Sequence, residues 1–135
     1  MITWTDYQFD DKTILVVEDT ETSIKFFDAA LRKSNAFLLW AKSGEEALDI
    51  LNERAETIDI VLLDLNLPGI NGFEVLKHIR NIAPDLPVIV QMAYLFSGEQ
   101  NTSFSMGAND FISKPIQLNE LLENIAKYLS PELVY

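Results

Sequence analysis

This chain of 135 residues predicts a single doubly wound α/β domain with a five-stranded parallel sheet. Three observations carry that expectation. Five short apolar runs, at 14–17, 36–40, 58–63, 88–92 and 110–112, alternate with five stretches of helical spacing. The first run, Ile14-Leu15-Val16-Val17, is continuously apolar rather than alternating, as a strand covered on both faces requires. Hydrophobic residues make up 48% and charged residues 23%, the balance of a globular domain that buries a core.

Residues 1–12 show no clean period and read as a leader or linker, with Trp4, Tyr7 and Phe9 able to pack on the domain. Ile14-Leu15-Val16-Val17 follows as the first strand. Thr20 or Ser23 can cap the next helix, whose apolar set is Ile24, Phe27, Ala30 and Leu31. After the second strand, Ser43-Gly44-Glu45-Glu46 opens a helix with Ala47, Leu48 and Leu51 on one face. Ile58 and Ile60-Val61-Leu62-Leu63 form the third strand, and Pro68, Gly69 and Gly72 punctuate the loop beyond it. Phe73, Leu76, Ile79 and Ile82 recur at helical spacing, and Pro87 leads into the fourth strand, 88–92. A polar, weakly patterned helix is expected over 97–106. Asp110-Phe111-Ile112 is the short fifth strand, and Leu118, Leu121, Leu122, Ile125 and Leu129 give the clearest helical stripe. The domain is expected over 13–130, with 131–135 as a tail.

Charge and composition narrow the function. Ten basic residues face 21 acidic ones, a net charge of −11, which repels nucleic acid and anionic membrane surfaces. The longest apolar stretch, 36–41, is far shorter than the ~20 residues of a membrane span. There is no cysteine and a single histidine, His78, so disulfides, thiolate zinc sites, Cys nucleophiles and multi-His metal sites are excluded. His78 is expected on the exposed side of its helix. No secretory leader and a cytoplasmic location are expected. Acid concentrates in residues 1–66, which carry 14 acids and 6 bases, a pattern suited to a cation site.

In open parallel sheets ligands gather at the carboxyl ends of the strands. Glu18-Asp19 ends the first strand, Asp64 the third and Lys114-Pro115 the fifth. Each has an ordinary reading alone: a solvated acid pair, a loop acid before a Pro-Gly turn, a surface lysine. Together they stand at one edge. If strands one and three are neighbours, three carboxylates converge, which is unfavourable without a cation. Hard oxygen ligands suit Mg²⁺ first and Mn²⁺ second. A carboxylate beside a metal and a lysine, with no histidine base, points to phosphoryl transfer onto that carboxylate. No Gly-rich dinucleotide loop or Walker lysine loop is present, and Asp64-Leu65-Asn66 lacks the Asp-x-Asp of haloacid-dehalogenase-type phosphatases.

Three segments resemble the receiver domains of two-component response regulators. They are Val16-Val17-Glu18-Asp19, the stretch from Leu62 through Asp64, Pro68 and Gly69 to Phe73, and Gly107-Ala108-Asn109-Asp110-Phe111-Ile112-Ser113-Lys114-Pro115. Asp64 lies 45 residues after Asp19, and Lys114 lies 50 after Asp64, one βαβα step each way. The resemblance implies a flavodoxin-like strand order 2-1-3-4-5. It implies Asp64 as phosphoacceptor, with Mg²⁺ held by Glu18, Asp19, Asp64 and the backbone carbonyl of Asn66, and Lys114 paired with the phosphoryl group. The Lys114–Pro115 bond is expected to be cis. The implied donor is a histidine kinase or histidine phosphotransfer domain, and the output is binding of a downstream protein. No enzyme activity is expected beyond self-catalysed phosphoryl acceptance and hydrolysis. Trp4, the polar stretch before Lys12, and Ala93-Tyr94 resemble receivers of hybrid sensor kinases.

One position departs from the family pattern. After the fourth strand the family carries Thr or Ser followed by a small residue; here Ala93 fixes the register and Met92 occupies the hydroxyl slot. Ser97 is too far along to replace it. In the family that hydroxyl bonds the phosphoryl group and draws inward a strand-five aromatic, here Phe111. Methionine has no donor and fills apolar space. Met92 therefore reads equally as core filling or as an altered switch, and Phe111 as a core aromatic or a switch residue. The alternative function is a receiver-like interaction module whose output is independent of phosphorylation or weakly coupled to it.

Overall fold

In the computed structural model, which describes residues 7–93, 102 and 104–130, five strands pair in parallel. They are β1 (Thr13–Val17), β2 (Phe37–Ala41), β3 (Ile60–Asp64), β4 (Val88–Met92) and β5 (Asp110–Ser113), in the order β2-β1-β3-β4-β5. The central strands β1, β3 and β4 are covered on both faces and are apolar except for Thr13, Asp64 and Gln91. β2 is an edge strand, and its Phe37 is 62% exposed.

Among the described residues, four long helices, α1 (Glu21–Arg32), α2 (Gly44–Arg54), α3 (Gly72–Ile82) and α4 (Leu118–Leu129), pack on the sheet, and a 3-10 turn over Ala55–Thr57 follows α2. α2 and α3 cover one face, where Ala47, Leu51, Val75, Leu76 and Ile79 pack on Leu15, Val61, Leu63, Val88, Val90 and Met92. On the other face α1 and α4 bring Phe27, Leu31, Leu121, Leu122 and Ile125 onto Ile14, Val16, Leu62, Ile89 and Ile112. The expected leader contributes to this second core, because Tyr7 and Phe9 are buried in it. Trp4, Tyr94 and 131–135 lie outside the described residues, as does much of the helix expected over 97–106, of which Thr102, Phe104 and Ser105 are helical.

Local chemistry sets the helix starts. Ser43 caps α2 by accepting from the Glu46 N–H at 3.1 Å, and Glu46 Oε2 accepts from the N–H of Lys42, the residue before the cap, at 3.2 Å. Asn71 Oδ1 accepts from the Phe73 N–H at 2.7 Å and starts α3. Gly72 is required there, since a Cβ would meet Leu65 Cα at 2.6 Å. Thr20 rather than Ser23 is the N-cap of α1, and its hydroxyl is turned away from the helix to Glu18.

At the C-terminal end of α3, Arg80 fastens the entry to β5. Its guanidinium donates to Gly107 O at 2.7 Å, Asn109 Oδ1 at 2.7 Å, Ala83 O at 3.1 Å and Pro84 O at 3.3 Å. Asn109 Oδ1 also accepts from the Val88 N–H at 2.9 Å, so the same amide aligns the start of β4.

Candidate functional site at the carboxyl edge of the sheet

β1 and β3 are neighbours, with Val17 registered against Leu63, so the residues one step on, Glu18 and Asp64, leave the sheet side by side. Carboxylate oxygens of Glu18, Asp19 and Asp64 all lie within 4.8 Å of one another. Glu18 and Asp64 are each only 1% exposed, whereas Asp19 is exposed. Such crowding of buried like charge requires cationic compensation.

One cation is built in. Lys114 Nζ lies 2.8 Å from Asp64 Oδ2. The other Asp64 oxygen, Oδ1, accepts the Asn66 N–H at 2.9 Å. Glu18 is held through a single oxygen. Its Oε1 accepts the backbone N–H of Asp19 and of Thr20, both at 3.2 Å, and the Thr20 hydroxyl at 2.9 Å. Its Oε2 is buried with no hydrogen-bond partner among the described residues. Burial raises the Glu18 carboxyl above its ordinary range, and the Asp64 charge adds to the rise. The Thr20 hydrogen bonds and the Lys114 charge oppose it. A buried carboxylate oxygen with no donor among the described residues, on a residue grouped with two further carboxylates, suits a hard divalent cation.

At the end of β4, Met92 is 2% exposed and belongs to the core under α2 and α3. Phe111 is half-buried against the same core and meets Phe104 edge-on, with ring centroids 5.5 Å apart. Ala93 is exposed. Met92 O accepts the Lys114 N–H at 2.9 Å, tying the two strand ends together. The Lys114–Pro115 peptide is cis. His78 is exposed on α3, away from this edge.

Two residues at the site escape the sequence reading. Thr20 looks like a helix cap, but its hydroxyl orients Glu18. Gln91, 1% exposed, is the registered partner of Asp64 across β3 and β4. The available signal was a lone carboxamide inside Val88-Ile89-Val90-Gln91-Met92. A cavity of about 510 Å³, lined by Ala55, Asp59, Pro84 and Pro87, opens beside the starts of β3 and β4 and takes no part in this cluster. Beside Lys114, a cleft of about 260 Å³ is lined by Thr22, Ser23, Phe26, Phe27, Pro115 and Ile116.

Comparison with known proteins agrees with the geometry. Residues 14–126 match the model of the response regulator receiver domain. The chain is 32% identical over 120 residues to the polar-differentiation response regulator DivK of Brucella ovis, covering 87% of this chain and 96% of that protein. Among solved structures, the non-phosphorylated receiver domain of HemR from Leptospira biflexa superposes with a TM-score of 0.81 at 34% identity, over 88% of this chain and 94% of that one. The receiver domain of Ssk1 from Saccharomyces cerevisiae, solved with the histidine phosphotransfer protein Ypd1, shares the fold. Its TM-score is 0.83 at 24% identity, over 92% of both chains. With five parallel strands in the order 2-1-3-4-5 and an acidic cluster at their carboxyl edge, this chain belongs to the response regulator receiver family of two-component signalling.

Proposed function

We propose that the domain, taken as 13–130, accepts a phosphoryl group on Asp64 from the phosphohistidine of a kinase or phosphotransfer domain. The observation that carries this reading is the Lys114–Asp64 pair set inside a three-carboxylate cluster. A carboxylate oxygen of Asp64 attacks phosphorus, the P–N bond to the donor imidazole breaks, and the imidazole leaves with the electron pair. A carboxylate nucleophile needs no base to remove a proton on attack, and the Lys114 ammonium neutralises charge on the phosphoryl oxygens. Glu18, Asp19, Asp64 and the Asn66 carbonyl are the residues that would hold Mg²⁺, with Mn²⁺ as second choice. When bound, the metal offsets negative charge shared by the carboxylates and the phosphoryl group. The aspartyl phosphate hydrolyses in the same site, so turnover is limited to self-catalysed acceptance and loss.

The apolar cleft beside Lys114 gives a donor protein a place to rest next to the acceptor. A cytoplasmic setting suits that donor, and among the described residues no helix is long and apolar enough to cross a membrane. The deciding experiment is intact-mass measurement after incubation with acetyl phosphate and Mg²⁺. Gain of one phosphoryl mass, absent from Asp64→Asn, is expected. No gain while a standard receiver is labelled alongside would overturn the reading.

A second reading concerns output. Met92 is buried in the core with no donor to offer, and Phe111 packs on the same core. That favours a phosphorylated receiver whose β4–β5 face responds weakly, up to the limit of an interaction module independent of phosphorylation.

A further inference from the structure

Gln91 carries a polar side chain that has nothing to do in the described structure. It is 1% exposed, and neither Oε1 nor Nε2 has a hydrogen-bond partner among the described residues. A buried, unpaired carboxamide is unfavourable, and buried polar groups are otherwise nearly always satisfied. An apolar residue of similar volume would fit the strand better, as Val88, Ile89 and Val90 do.

The register says where this group stands. Gln91 is paired with Asp64 on one side and with Ile112 on the other. Registered residues of parallel strands leave the same face about 4.8 Å apart, so the Gln91 and Asp64 side chains start as neighbours. Lys114 lies two residues beyond Ile112 and therefore projects from that face too. To reach Asp64 from the end of β5, Lys114 must pass over β4, the strand between them. Gln91 thus stands on the face that the ion pair crosses. Met92, one residue on, points into the opposite core.

We propose that Gln91 is a phosphoryl-binding residue: its carboxamide N–H donates to an oxygen of the group carried by Asp64 and supplies from β4 the donor that Met92 lacks. The inference rests on Asp64 being the acceptor. Before modification both Asp64 oxygens are engaged, by Asn66 and Lys114, which leaves the carboxamide idle. A phosphoryl group adds three charged acceptor oxygens in the same place, and a donor already buried beside them loses little freedom on binding.

Gln91→Met tests this, because methionine keeps the length and suits the apolar face. Three readouts are taken with acetyl phosphate and Mg²⁺: the rate of phosphoryl mass gain, the ³¹P shift of the aspartyl phosphate, and thermal stability without donor. Slowing of about tenfold, a moved ³¹P resonance and an unchanged or higher melting temperature are expected. In a Met92→Thr background the same substitution should slow acceptance by only about twofold, because the hydroxyl then shares the task. Gln91→Leu serves if the methionine variant misfolds. Equal rates with an unmoved ³¹P resonance would overturn the proposal and leave the acceptor reading intact. A wild type that gains no mass would instead remove the acceptor reading on which it stands.

Discussion

Lys114 reaches across β4 to set its ammonium 2.8 Å from Asp64, a carboxylate whose side chain is only 2% exposed. The pair is asymmetric: the lysine side chain is 28% exposed, so water serves it while the aspartate depends on it. Removing the lysine leaves a buried carboxylate beside Glu18 and Asp19 without its counter-charge. Lys114→Ala is expected to lower stability by about 1–3 kcal/mol and to slow phosphoryl acceptance. Asp64→Asn should abolish acceptance without that loss of stability. Urea melts and intact-mass kinetics read the two effects separately.

Glu18 gives the metal prediction. Burial and the neighbouring Asp64 disfavour its ionised form, so the neutral isostere is easier to bury. Glu18→Gln should raise the melting temperature of the metal-free protein and erase the rise that millimolar Mg²⁺ gives the wild type. An undiminished Mg²⁺ effect in the variant would remove Glu18 from the cation site.

Met92 governs how far a phosphoryl group is felt. With no hydroxyl at the end of β4, wild-type chemical shifts on adding beryllofluoride should stay near Glu18, Asp64 and Lys114. Met92→Thr should extend them to Phe111 and Phe104, whose rings already touch. A hydrogen bond to a charged oxygen contributes roughly 1.5–3 kcal/mol, enough to tip a two-state balance. Large wild-type shifts at Phe111 that Met92→Thr does not enlarge would show a switch working without the hydroxyl.

Tyr128 sets a pH dependence far from the site. Its hydroxyl lies 3.0 Å from Asn109 O and 3.4 Å from Asp110 Oδ2. Burial and the Asp110 charge push the phenol up to about 12. A pKa raised in the folded state means stability present below the unfolded value of about 10 and lost as pH climbs from there towards 12. The stability gap between wild type and Tyr128→Phe should be level below pH 10 and shrink above it, as followed by guanidinium melts.

Phe9 tests where the folded unit begins. It is 1% exposed, and its N–H donates to Ser34 O at 2.6 Å. Phe9→Ala should cost about 3–5 kcal/mol, the range for a fully buried aromatic. A change below about 1 kcal/mol would make the segment before β1 an appendage.

The sheet was legible because β1, β3 and β4 are buried on both faces, which leaves short apolar runs spaced between helical stretches. The candidate site was legible because its residues sit at strand ends, where position carries meaning. Legibility failed where a residue's role depends on its neighbours in space. Thr20 has the chemistry of a cap, and only the turn of its hydroxyl towards Glu18 reveals its use. In α3 the buried face is shifted from the expected stripe: Val75 joins Leu76 and Ile79 in the core, while Phe73 is only partly buried. Gln91 gained meaning only once register placed it opposite Asp64.

The fastening of Arg80 to Gly107 constrains how this sequence can drift. Gly107 holds φ at +107°, and a Cβ there would meet Arg80 Cγ at 2.6 Å and Nε at 2.7 Å. The glycine is thus barred from change twice, by backbone and by neighbour, whereas the arginine is barred once, by the four oxygens it serves. The order of substitution matters in such a pair. A lineage that loses Arg80 first lifts the steric barrier at 107 but still meets the backbone one. A lineage that changes Gly107 first must also displace the guanidinium, undoing the hold on Asn109 and with it the alignment of β4 against β5.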